Sequence, residues 1–146
     1  MFLYIYAICP LSLSEILNEN TMAVKICYHE DIKVVETVYV GPFPKDELFN
    51  SVTQTLEFAL EKNTLLLLGD CKGLSDNGSL VDIYSLAEYY LTIFESHKFK
   101  EAIILPENKE AAKNLKFYET TCINRGFDVK VFSDRESAVS WLISEN

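Results

Sequence analysis

The run Thr64 to Leu68, TLLLL, bounded by Asn63 and by Gly69-Asp70, constrains the fold more than any other stretch of the chain. It is too short for a helix and does not alternate as a half-solvated strand does, so it suits a strand covered on both faces. Ala102–Leu105 is a second buried run of this kind, ended by Pro106. Helical spacing fills the intervals. Leu48, Val52, Leu56 and Ala59 recur from Pro44 to about Lys62, with Asp46 and Glu47 near the positive end of that helix. Ser79 and Asp82 offer an S-x-x-D cap to a helix running to about Ser96. A third helix, from about Asn108 to Asn124, places Ala111, Leu115, Tyr118 and Cys122 on one face.

The close of the chain, GFDVKVFSDRESAVSWL at 126–142, repeats the strand-then-helix unit. Gly126 suits a left-handed helix stop because it lacks a Cβ. Phe127, Val129 and Val131 alternate with polar residues, and Ser133 and Glu136 have the spacing of a capping box. The helix expected from about Asp134 to Ser144 buries Ala138, Trp141 and Leu142. Toward the other end, Ala23–His29 and Ile32–Val40 are β-prone runs joined at Glu30-Asp31, read as a two-residue hairpin turn. The order β-β-α-β-α-β-α-β-α predicts one α/β domain. Its sheet is mixed and mostly parallel, of about five strands, with an N-terminal β-hairpin, four helices and cover on both faces.

Residues 1–21 pattern differently. Met1 to Ile8 are apolar, yet no Lys or Arg precedes Lys25, so the charged start of a signal peptide is missing. The apolar run stops at Cys9-Pro10, short of the ~20 residues that a membrane span needs. The expectation is an N-terminal extension over 1–21, such as an upstream start codon creates, and a domain over 22–146. The alternative is that Phe2–Ile8 adds an edge strand or covers an apolar helix.

A chain of 146 residues, 49% apolar and 24% charged, can bury a core without disulfide or metal support. Its formal charge of −9 argues against nucleic acid and anionic membrane surfaces as partners. The basic grouping Lys98, Lys100, Lys109, Lys113 and Lys116 is interrupted by Glu101, Glu107 and Glu110 and reads as a solvated face. Cys9, Cys27, Cys71 and Cys122 show no C-x-x-C pair, which points to a cytoplasmic setting rather than a disulfide scaffold.

The loop expected at Gly69 to Ser79, GDCKGLSDNGS, is where function concentrates on this reading. It leaves the carboxyl end of the central strand and reaches a helix start, a place where backbone N–H groups hold anions. Asp70, Cys71, Lys72, Gly73, Ser75 and Ser79 are its candidate ligand or partner residues. No phosphate-loop or dinucleotide motif accompanies them, and no cofactor is implied. Cys71 between Asp70 and Lys72 has no general base in the local sequence. His29 and His97 are the only histidines, and no ligand pair shows metal spacing. Helix 79–96 is apolar nearly all round, which calls for cover beyond the sheet. Tyr84, Tyr89, Tyr90 and Phe94 on it are candidate interface residues.

The strand ending in Gly41-Pro42 before a helix, the TLLLLGD strand and the GFDVKVFSDRESAVSWL close together resemble the SpoIIAA-like/STAS superfamily. The likeness is closest to its small stand-alone bacterial members and spans about Met22 to Leu142. It implies a small cytoplasmic binding or regulatory module. In anti-sigma-factor antagonists of the superfamily a phosphorylatable serine lies in a D-S-S-G-type motif after the central strand. Here the region reads LSDNGSLVDI; Ser75 and Ser79 are nearby and the D-S-S-G string is absent. Three functions follow as expectations. The favoured one is a non-enzymatic module acting through protein contacts, as a homodimer or with a regulatory partner. The alternative is a small-molecule or lipid binder with a pocket between helix 79–96 and the sheet. The third is a small enzyme using Asp70, Cys71 and Lys72.

Overall fold

The hairpin expected at the start of the domain forms between β2 (Ala23–His29) and β3 (Val34–Pro42), which pair antiparallel. The computed structural model describes residues 3–6, 22–94 and 96–145. After the hairpin come α1 (Lys45–Glu61), β4 (Leu66–Asp76), α2 (Leu80–Phe94), β5 (Lys100–Ile104), α3 (Lys109–Ile123), β6 (Asp128–Phe132) and α4 (Arg135–Ile143). β1 (Leu3–Tyr6) precedes them and pairs parallel with β2, which is the edge strand of the alternative reading of the N-terminus. The rest of the expectation for 1–21 lies outside the described residues.

The sheet runs β1-β2-β3-β4-β5-β6, and β3 through β6 are parallel. Each crossover steps to the next strand in one direction. Right-handed connections then place α1, α2 and α3 on the same face. Their buried residues join Val24, Ile26, Val35, Leu67, Ile103 and Val129 in one core. α4 follows the last strand and packs on the opposite face, where Val34, Leu68, Ala102, Ile104, Ala138 and Leu142 form a smaller core. Helices thus cover both faces, three to one. Because the strand order never reverses, the sheet lacks the crevice at which open α/β folds usually seat ligands.

Several local readings shift. The hairpin turn takes four residues, Glu30 to Lys33, because His29 pairs with Val34 and Lys33 adopts a left-handed φ of 56°. The Gly69–Ser79 segment is not a loop at its start: β4 continues to Asp76, and irregularities between Val38 and Val40 and between Gly41 and Pro42 keep it paired with β3. β5 ends opposite Asp70, so beyond that point β4 retains only β3 as a neighbour. Such a two-stranded extension carries the glycines and polar residues that read as a loop. At α4 the cap is Asp134, whose carboxylate accepts from Ser137 N at 2.8 Å, rather than the Ser133–Glu136 box. Trp141 is half-buried beside Phe132, its ring under the Lys100 ammonium at 4.5 Å, and so seals an edge rather than filling the core. Gly126 does end α3 with a positive φ of 85°.

Candidate functional site

The face under α1, α2 and α3 is not fully packed. A cavity of about 50 Å³ lies between those helices and the centre of the sheet. Its origin is a cross-strand row. Thr37 of β3 pairs with Gly69 of β4, and Gly69 with Ile103 of β5, so the middle strand contributes no side chain at the level where its neighbours contribute theirs. A Cβ built at Gly69 would meet only Ile103 Cγ1 at 3.8 Å and Ala102 O at 3.9 Å, ordinary contact distances that leave space beyond. Ile83, Leu86 and Tyr90 of α2 roof the gap, Leu48, Val52 and Thr55 of α1 close one side, and Leu115 and Tyr118 of α3 the other. At roughly 10–15 Å³ per water, the space is that of about three to five water molecules.

The wall is mostly apolar; Thr37, Thr55 and Asn77 in it are hydrogen-bonded within the fold, and Glu101 is its one carboxyl among the described residues. Glu101 is 8% exposed and stands one residue before the buried run Ala102–Leu105, inside β5. In the strand as formed, Glu101 and Ile103 point to the helix side, while Lys100 and Ala102 point away. Grouping Glu101 with a solvated face was therefore incorrect: register with Leu67 on β4 and Val129 on β6 carries it inside. Its Oε1 accepts a hydrogen bond from Tyr118 Oη at 2.8 Å. Among the described residues no hydrogen bond reaches its Oε2. Burial pushes the carboxyl up to about 7, against a small opposing effect of the Tyr118 bond. The Tyr118 and Tyr90 phenols are pushed well above their ordinary range, first by burial and then by the Glu101 charge. Their rings lie 5.7 Å apart, tilted by 56°. Thr37 and Thr55 face the gap but are bonded to each other at 2.7 Å.

The residues singled out in the sequence do not converge. Cys71 is buried and lines the cavity, its thiol pushed well above the usual range by burial and then by the Asp70 and Glu101 charges. Asp70 alternates to the α4 face, half-buried, and accepts from Lys72 N at 3.1 Å. Lys72, Gly73 and Ser75 are exposed. The three side chains proposed for an enzyme are thus split between two faces, and the thiol among them is held protonated. Ser79 and Asp82 cap each other as expected, at 3.0 and 3.2 Å, so the start of α2 is satisfied from within. Behind it Asn77 and Asn114, both buried, bond through their amides at 2.9 Å and tie the end of β4 to α3.

Of the candidate interface, Tyr90 is 5% exposed and belongs to the cavity roof. Tyr89 is half-buried, with its hydroxyl 2.6 Å from that of Thr53 on α1. Tyr84 is exposed, accepts from Arg125 Nη2 at 3.0 Å and stacks beneath that guanidinium. The side chain of Phe94 lies outside the described residues. Leu80 and Val81, at 40% and 71% exposed, complete the outward face of α2.

On the other face the hairpin assembles a group that sequence spacing concealed. Cys27 pairs with Glu36 across β2 and β3, and His29 lies two residues on, so Cys27, His29 and Glu36 bring ligand-type atoms within 4.8 Å of one another. The set is already engaged. Glu36 accepts from His29 Nε2 at 2.6 Å and from both terminal nitrogens of Arg135 at 2.5 and 2.7 Å. Cys27 is disulfide-bonded, whereas Cys71 and Cys122 are free thiols. A cation at this point would have to displace Arg135, and the arrangement is an ion pair between a buried carboxylate and a partly exposed guanidinium. Burial pushes the Glu36 carboxyl up, but Arg135 and His29 outweigh it and hold it below the ordinary value.

This architecture defines the class of fold as SpoIIAA-like. A solved structure with that fold, an uncharacterized protein of the DUF3478 family from Shewanella loihica PV-4, matches 86% of this chain and 97% of its own at a TM-score of 0.50 and 22% identity. The sequence matches no protein-family model and no curated protein. No helix among the described residues is long and apolar enough to cross a membrane.

Proposed function

We propose that the protein is a binding module that takes a small, largely apolar molecule into the cavity beneath α2. The observation that carries this reading is Glu101: a buried carboxyl with one hydrogen-bond partner, facing a mostly apolar gap. A hydrophobic residue there would cost less than a desolvated carboxyl, so the sequence gives up stability at this position. Such departures concentrate at functional sites. Gly69 supports the same reading, because alanine would fit its place in the strand and narrow the gap. A binding role rather than catalysis is favoured by the separation of Cys71 from Asp70 and Lys72. The cytoplasmic setting agrees with the free thiols of Cys71 and Cys122, while the bonded Cys27 pulls against it. Alkylation of protein quenched directly from cells decides between the two.

The test is native mass spectrometry of protein isolated from its own cells, wild type beside Gly69→Val. The valine methyls fill the gap from the sheet side. An adduct carried by the wild type and lost in the variant, with circular dichroism unchanged, supports the reading. Repeated preparations without any adduct overturn it. A second reading, contact with another copy or a regulatory protein, rests on Leu80, Val81 and Tyr84, three neighbouring exposed apolar side chains on the outer face of α2. Light scattering of wild type and Val81→Glu tests it; a wild-type monomer at all concentrations disposes of the homodimer.

A further inference from the structure

The chemistry of the cavity wall narrows the occupant, if the cavity is a binding site as proposed above. We propose that it selects a small apolar amine, whose ammonium seats on the Glu101 carboxylate against the aromatic wall of Tyr90 and Tyr118. Three observations carry this. Glu101 Oε2 has no hydrogen-bond partner among the described residues, while Oε1 is held by Tyr118 at 2.8 Å, so the carboxyl is oriented with one acceptor left open. Among the described residues no Lys, Arg or His lines the cavity, so none of them balances a second negative charge there. Tyr39, Tyr90 and Tyr118 line the same cavity as the carboxyl, and aromatic rings are good neighbours for a cation in water-poor surroundings. A carboxylate ligand would meet like charge at close range. An alcohol would make one hydrogen bond and leave the burial of Glu101 uncompensated. An ammonium does both jobs, pairing the charge and donating to Oε2.

Binding then carries a proton signature. Below about pH 7 the carboxyl is largely protonated in the free protein. An incoming ammonium therefore displaces one proton from Glu101 to solvent and leaves the ion pair behind. The other titratable groups around it are the Tyr39 phenol from β3, the Cys71 thiol from β4, the Tyr90 phenol from α2, and the Tyr118 phenol and Cys122 thiol from α3. α1 contributes only Leu48, Val52 and Thr55. Burial holds the Cys71, Tyr90 and Tyr118 protons far above neutrality and pushes Cys122 up to about 12, so the proton released near pH 6 comes from Glu101.

Propylamine, 1-propanol and propionate are the probes, three head groups on chains of a size that the gap admits, roughly four or five non-hydrogen atoms. Their binding to the full chain is followed by NMR shifts of cavity-lining residues and by calorimetry in two buffers at pH 6. The expected result is propylamine at least tenfold tighter than propanol, propionate weaker still, and close to one proton released per amine bound. Glu101→Gln lowers amine affinity tenfold or more and abolishes the proton release, while propanol binding stays within about threefold. The wild-type series stands as a test even if that variant fails to fold. Propanol binding as tightly as propylamine, or propionate binding best, overturns the amine assignment and leaves the cavity reading in place. Failure of all three to perturb any cavity residue overturns both.

Discussion

Two glutamates are buried near the middle of the sheet, Glu36 on the α4 face and Glu101 on the face under α1, α2 and α3. Glu36 at 2% exposed meets a guanidinium and an imidazole, and its carboxyl is held below the ordinary value despite burial. Glu101 meets one phenol and an open gap, and burial lifts its carboxyl to about 7. The difference lies in the supply of partners. The hairpin register and the start of α4 deliver His29 and Arg135 to Glu36, so that carboxylate works as a tie between distant parts of the chain. Among the described residues no element delivers a cation to Glu101. The contrast separates a polar group the fold has used from one it has left available.

The comparison can be broken first through pH. A carboxyl raised from 4.5 to about 7 binds its proton more tightly folded than unfolded, so its contribution is fully present below pH 4.5 and is lost as pH rises to about 7. The loss is on the order of 3 kcal/mol. Urea denaturation across that window should show wild type losing about this much relative to Glu101→Gln; parallel curves would place Glu101 among ordinary carboxylates. Glu36 has the opposite sign, its contribution being present above its unfolded pKa and lost as pH falls through its lowered folded value. Arg135→Ala, which strands Glu36 in the core, should cost roughly 2 kcal/mol at pH 7, less than a fully buried pair because the guanidinium is partly open to water. A cost below a few tenths would show that Glu36 is not held as described.

Smaller effects sharpen the same contrast. Ser79→Ala removes the hydroxyl that caps α2, the roof of the cavity, and should cost about 1 kcal/mol. Hydrogen exchange should quicken in the first turn of α2 and stay unchanged in α4. Gly69→Ala adds a methyl group in ordinary contact and should be neutral or stabilising by roughly 0.5 kcal/mol. Thermal unfolding that shows a clear loss would mean the gap is already filled.

The elements could be read from the sequence because their signals are local. Ala23–His29 is a β-prone run, the Leu48, Val52, Leu56 and Ala59 spacing belongs to a helix, and Gly126 and the Ser79–Asp82 pair mark helix ends through their own side chains or lack of them. The site could not be read in this way. Glu101 lies in a stretch with Lys98 and Lys100 and looks solvated until β4 and β6 fix which way it points. Gly69 looks like a turn residue until Thr37 and Ile103 flank it. Arg135 and Glu36 are 99 residues apart in the chain. Of the candidates, Tyr90 reaches the cavity from α2 and Cys71 from β4, the latter because β4 continues past Asp70, and that continuation depends on pairing with β3. Patterns along the chain reveal faces and ends; the functional contrast arises from what other strands place beside each residue.

The central claim is that Glu101 is an available buried carboxyl and Glu36 an engaged one. Carbon-13 NMR titration of the glutamate side-chain carboxyls reads both in one experiment. The account predicts that Glu101 titrates near pH 7, that Glu36 titrates below the ordinary carboxylate range, and that propylamine moves only the first. Glu101 titrating with the surface glutamates, unmoved by the amine, would contradict it.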